Sequence, residues 1–223
     1  MCGRYALATT AQEMIEHFKL MREVKFQPSF NIAPGRKILN IVELDDGSLK
    51  PVNLHWGLVP SWAKDTKNSG HLINARAETV KEKPSFRSAF KHRRCLIPAT
   101  GFYEWARRDG KQAYNFHRPD HGLFAFAGLW EQWQHETETL YSCTIITTAA
   151  AELMQPIHDR MPVIITPGYY RQWLNKAAGA DEALELLDNQ AYAEMTATPV
   201  SDWVNKPGND GERCVEEVAV KVG

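Results

Sequence analysis

Seven short runs of β-branched, aromatic and aliphatic residues, each ended by Gly, Pro, Asp or Asn, set the tightest limit on how this chain can fold. They are Leu39–Leu44, Val52–Leu58, Cys95–Pro98, Ala113–His117, Leu123–Trp130, Tyr141–Thr147 and Met195–Val200. Runs of this length between turn-forming residues read as strands. Helical patterning is confined to three places. Thr10-Ala11-Gln12-Glu13 fits a capping box, and Met14, Ile15, Phe18 and Met21 then share a helical face. A second helix starts at Thr166-Pro167, with Pro at its first position, and runs through Tyr170, Trp173 and Leu174. Glu182 to Leu187 gives a third. Strands that follow one another without intervening helices exclude an alternating βαβ array. The expected fold is α+β, one domain over residues 1–223, dominated by an antiparallel, barrel-like sheet with a few flanking helices.

At 223 residues the chain can bury one proper core. Every apolar run is cut by a charge, Gly or Pro before it reaches the length of a membrane span. No apolar signal core follows Met1-Cys2-Gly3-Arg4-Tyr5, so a cytoplasmic protein is expected, nucleoid-associated when on DNA. Cys2, Cys95, Cys143 and Cys214 are far apart, with no Cys-x-x-Cys pair. That argues against a zinc ribbon, a redox motif or a disulfide scaffold, and predicts free thiols. No metal and no cofactor is expected. Charge is uneven: residues 1–112 hold 19 Lys and Arg against 11 Asp and Glu, residues 113–223 hold 7 against 16. Either this marks a basic face for phosphates, or the fold interleaves the halves and disperses it.

Several segments carry polar residues that folding alone does not require. In order they are Met1-Cys2-Gly3-Arg4, Asn31-Ile32-Ala33-Pro34, Trp56-Gly57-Leu58-Val59-Pro60-Ser61-Trp62, and Ile73-Asn74-Ala75-Arg76-Ala77-Glu78-Thr79. Arg94 to Trp105, Thr147-Thr148-Ala149-Ala150 and Ile157-His158-Asp159-Arg160-Met161-Pro162 follow. Together, from Cys2 to Val204-Asn205, they resemble the SRAP family of abasic-site-processing proteins. The resemblance implies covalent capture of abasic sites in single-stranded DNA by a monomer, with associated lyase and self-processing chemistry. One departure stands out: Thr100 occupies a position where the family commonly has an acidic or amide residue, which leaves any role for that side chain open.

The chemistry of the residues agrees with that resemblance. Removal of Met1 would leave an α-amine and a thiol on adjacent carbons of Cys2. Their ordinary pKa values, about 7.7–8.0 and about 8.5, leave both partly nucleophilic near neutrality. An aldehyde condenses with the amine, and the thiol closes the iminium to a thiazolidine. Glu104, between Tyr103 and Trp105, is the expected proton shuttle, because burial beside aromatics raises a carboxyl pKa. His158 is a second proton carrier, since histidine titrates near pH 7. The family implies that Asn74 holds the terminal amine or the sugar. Arg4, Arg76 and Arg87 are candidate phosphate contacts, with Lys81, Lys83, Lys91, Arg93 and Arg94 nearby in sequence. Trp62 is the candidate for stacking on a base, with Trp56 more readily placed in the core. His117 and His121 read as surface or capping residues. Two other functions use the same residues: an N-terminal-cysteine peptidase or amidase, and a non-covalent single-strand-binding module.

Overall fold

In the computed structural model, which describes residues 2–106, 112–188 and 195–219, five strands close on one another. They are β3 (Lys37–Glu43), β4 (Leu49–Trp56), β6 (Arg94–Ala99), β9 (Phe124–His135) and β10 (Glu138–Ala149). The ring runs β10–β4–β3–β6–β9 and returns to β10. Four of its contacts are antiparallel; β10 meets β4 in parallel, Ser142 opposite His55 and Cys143 opposite Trp56. Closure removes the free edges that an open sheet would present. The barrel-like α+β fold expected from the strand pattern is therefore present. β9 and β10 run well past the apolar segments that announced them. Their outer arms carry Gln132, Gln134, His135 and Glu138 in solvent, so polar residues hide the hairpin in the sequence.

A second sheet packs beside the barrel, wholly antiparallel, in the order β13 (Thr196–Val200), β8 (Ala113–His117), β7 (Gly101–Trp105), β1 (Tyr5–Leu7), β2 (Ser29–Ile32). Side chains alternate across a strand. Phe102 of β7 stacks on Phe116 within the main core, their rings 5.0 Å apart. Tyr103 faces the other way, packing with Ala6, Ala113, Val200 and Val204. Glu104 shares the Phe102 side and so faces inward. Three short strands complete the larger sheet: β5 (Asn74–Arg76), β11 (Arg160–Pro162) and β12 (Ile164–Ile165). Like β1 and β2, they are too short to show a period in sequence.

Helix α1 (Ala11–Phe18) has the expected capping box at Thr10 and Glu13 and buries Met14 and Phe18. It stops at Lys19, which turns left-handed at φ 53°. Met21 therefore lies beyond the helix, 92% exposed, and not on the face drawn for it. A 3-10 turn at Pro167–Tyr169 leads into α3 (Tyr170–Leu174), and α4 is Ala180–Leu187. Helix α2 (Arg87–His92) was not legible: its six residues hold two buried ones, Ala89 and Phe90. The basic run after it serves the fold. Arg94 is buried and donates to Phe90 O at 2.8 Å and Trp173 O at 2.6 Å, satisfying the carbonyl ends of α2 and α3. Arg93 pairs with Glu131 at 2.8 Å, and Lys81 with Asp181. Such pairs join the basic half to the acidic half and disperse part of the asymmetry. No helix among the described residues is long and apolar enough to cross a membrane.

All four cysteines are free and buried. Burial pushes the thiols of Cys2 and Cys95 well above their ordinary value, Cys143 up to about 12 and Cys214 up to about 11. In the unfolded chain the same thiols ionise at about pH 8.5. Above that pH the unfolded state binds fewer protons than the folded one, so stability falls as pH rises. Urea midpoints are expected to hold steady from pH 7 to 8 and to drop above about pH 9. A flat profile through pH 10 would show that the thiols ionise alike in both states.

Candidate active site

Strand β10 carries most of the site. Thr147 pairs with Arg76 of β5 on one flank and with Pro162 of β11 on the other. The polar residues of both flanking strands are thus fixed to one beam. Trp56 anchors the start of β5, donating from Nε1 to Ile73 O at 3.0 Å, and its ring meets Tyr5 edge-on at 5.5 Å. It is fully buried, a core tryptophan.

Asn74 leaves this support to reach the start of the chain: its Nδ2 donates to Cys2 O at 3.0 Å. Its Oδ1 is buried and accepts no hydrogen bond from the described residues. Two residues on, Arg4 O accepts from Tyr103 N at 3.0 Å, which ties the same segment to β7. Cys2 Sγ lies 4.0 Å from Arg4 O. The thiol is held up first by burial and second by the nearby carboxylate of Glu104. Glu104 is itself only 4% exposed, on an interior strand and not at a wet edge. Cys2, Asn74 and Glu104 therefore converge, although they come from the chain start, β5 and β7. The thiol rests neutral, and a proton acceptor stands close to it.

His158 stands at the head of β11, on the other flank of β10. Its Nδ1 lies 2.9 Å from both the Arg160 amide nitrogen, a donor, and Asp159 Oδ1, an acceptor. The neutral ring with its proton on Nε2 takes the first partner; the imidazolium takes the second. Either state has a bond waiting. Arg160 donates to Glu78 Oε2 at 3.0 Å and to Thr147 O at 2.7 Å, locking the ends of β5, β10 and β11 together. Nothing in the Ile157-His158-Asp159-Arg160-Met161-Pro162 sequence signals this role for Arg160.

The candidate DNA contacts divide. Arg76 and Arg87 are exposed. Trp62 is 65% exposed, beyond a turn that depends on Gly57. Gly57 has φ +138°, and a Cβ there would sit 2.8 Å from Ser69 O. Arg4 differs: its Nη1 donates at 2.8 Å to both Asn31 Oδ1 and Val204 O, and its guanidinium lies over Trp105. That geometry ties Arg4 to the protein interior. His117 is buried, not superficial, bonded to Thr198 Oγ1 at 2.9 Å and stacked on exposed His121. Thr100 Oγ1 accepts from Ala8 N at 3.0 Å, a contact across 92 residues of sequence that ties the end of β1 to the β6–β7 corner. Among the described residues no group of three His, Cys, Asp or Glu could hold a metal ion.

Residues 1–207 match the family described as SOS response associated peptidase, SRAP. The chain belongs to the SRAP family. Among relatives, it is 45% identical to abasic site processing protein YoqW of Bacillus subtilis, over 97% of this chain and 99% of that one. It is 31% identical to abasic site processing protein HMCES of Xenopus tropicalis, over 87% of this chain and 67% of that one. A crystal structure of a protein from Bacteroides thetaiotaomicron superposes with a TM-score of 0.85 at 25% identity, covering 98% of this chain and all of that one. The overall fold is thus shared with that protein along its whole length.

Proposed function

We propose that this SRAP protein processes abasic sites in single-stranded DNA by bonding covalently to the ring-opened sugar through Cys2. The observation that carries the reading is the convergence of Asn74 and Glu104 on the first residue that Met1 removal would expose. Met1 itself lies outside the described residues. While Met1 is attached the Cys2 nitrogen is an amide, so the reactive species is the chain that begins at Cys2.

The Glu104 carboxylate first takes a proton from the α-ammonium group, and the freed amine attacks C1′ of the aldehyde. The carbinolamine loses its hydroxyl as water, taking a proton from the Glu104 carboxyl and leaving an iminium. The thiol then adds to C1′ and gives its proton to the Glu104 carboxylate, which restores the carboxyl. Amine, thiol and aldehyde become a thiazolidine and one water. Asn74 supports the first step, with Nδ2 holding the Cys2 carbonyl and Oδ1 available to an amine N–H. The iminium also acidifies the C2′ proton, so β-elimination of the 3′ phosphate competes until the ring closes. His158, able to take or release a proton, is assigned to that proton traffic.

A thiol raised by burial and by a neighbouring carboxylate weighs against a peptidase that attacks as a thiolate. The test is intact mass before and after exposure to an abasic oligonucleotide. The expected product is the chain from Cys2 onward plus the DNA, less one water. Non-covalent complex alone would overturn the reading. For the DNA track, Arg76→Ala is expected to weaken binding several-fold and to shallow the salt slope by about 0.7 for the one phosphate lost. An unchanged slope would remove Arg76 from the track.

A further inference from the structure

The fully buried Asn31 stands in the Asn31-Ile32-Ala33-Pro34 segment, which the mechanism above leaves unused. Its amide nitrogen faces three backbone carbonyls of one C-terminal segment: Asn209 O at 2.7 Å, Lys206 O at 3.0 Å and Val204 O at 3.3 Å. Its Oδ1 accepts from Arg4 Nη1 at 2.8 Å, and the same Nη1 reaches Val204 O. The segment is pinned on either side of this bracket. Trp105 Nε1 donates to Asn205 Oδ1 at 2.6 Å, next to Glu104 in sequence. Asp210 takes Ser29 Oγ and Phe30 N, each at 2.7 Å.

We infer that Asn31 is a positioning residue for the Cys2 reaction, acting through Arg4, with residues 204–209 as its fixed anchor. The inference rests on the covalent reading of Cys2. The first residue of a chain has a backbone neighbour on one side only, and Gly3 adds freedom between Cys2 and Arg4. Holding the Arg4 side chain therefore limits how far the amine and thiol can stray. The two ends of the Asn31 amide do different jobs. Oδ1 orients Arg4, and Nδ2 fastens the C-terminal segment.

Asn31→Ala removes both, whereas Asn31→Asp keeps an acceptor for Arg4 and loses the donor. Single-turnover crosslinking is measured at saturating abasic DNA, with affinity read separately on an oligonucleotide carrying an unreactive tetrahydrofuran site. Asn31→Ala is expected to slow crosslinking by about 10²-fold, the scale of a misplacement near 1 Å, with affinity held within about threefold. Asn31→Asp is expected to melt earlier than wild type yet crosslink within about threefold of it. Adding Arg4→Met to Asn31→Ala should cost little more than either change alone, because both cut one link.

Three outcomes overturn the inference: an unchanged rate in Asn31→Ala, a loss in Asn31→Asp as large as in Asn31→Ala, or a loss carried by affinity. If Asn31→Ala fails to fold, Arg4→Met cuts the same link from the other side and carries the same expectation. A fall in its DNA affinity with the rate intact would make Arg4 a DNA contact instead. Failure of wild type to crosslink would defeat the covalent reading itself, and is read in the same experiment.

Discussion

Cys2→Ala is expected to abolish the heat-stable protein–DNA adduct, a loss of at least about a thousandfold in the crosslinking rate. The side chain is small and its cavity lies at the start of the chain, so the fold should survive. The α-amine survives too, and that makes the variant informative. An imine can still form, so borohydride should trap a reduced adduct from Cys2→Ala where untreated samples show none. Without a thiol to close the ring, the iminium lasts longer and strand cleavage by β-elimination should rise. Cys2→Ser is expected to behave alike, because a hydroxyl is a far poorer nucleophile than sulfur at this carbon. An adduct from Cys2→Ala that resists heat without borohydride would remove the thiol from the mechanism. Denaturing gels with and without reductant read every arm.

The second large effect is expected at Glu104. Its carboxyl is asked to give one proton and take one back within a single adduct. Glu104→Gln keeps the size and the hydrogen-bonding edge of the side chain but cannot exchange protons. General acid–base catalysis is worth about 10²–10⁴-fold. Glu104→Gln should slow adduct formation by about 10²–10³-fold, equivalent to roughly 3–4 kcal/mol on the barrier. Affinity for a tetrahydrofuran site should change little, since the buried carboxyl contributes to chemistry more than to grip. Removing the carboxylate also takes away one of the two influences holding the thiol up. Alkylation of Cys2 in the variant should therefore start at a lower pH than in wild type. Weakened affinity with chemical rates intact would reduce Glu104 to a structural residue.

How far these groups could be read in the sequence depended on the length of the element that holds each. β3, β4, β6 and β8 are long enough for their apolar pattern to announce them, and the barrel follows. Asn74, Arg76 and His158 sit on or beside strands of three residues, β5 and β11, which have no period to detect. Those residues emerged only through their resemblance to a family, and β10 then explained their proximity. Composition marks a charge but not its partner: the Arg4 guanidinium bonds to Asn31 and Val204, far away in sequence, contacts that its motif does not announce. The run from Lys81 to Arg94 holds another such case, because buried Arg94 bonds to carbonyls at the ends of α2 and α3. Glu104 was better served, since two flanking aromatics already implied a dry setting.

The place of β1 sets an order of events during synthesis. It lies between β2 and β7, so its pairing is incomplete until the ribosome has delivered Trp105. At about 5–20 residues per second, those first hundred residues take roughly 5–20 s. Throughout that interval the leading Met-Cys is unshielded, open to any aminopeptidase working at the exit tunnel. Once β7 docks, Cys2 has no exposed surface left. The trimming that the proposed reaction requires would have to precede enclosure, and a chain released with its methionine intact would carry that blocked end into the folded state.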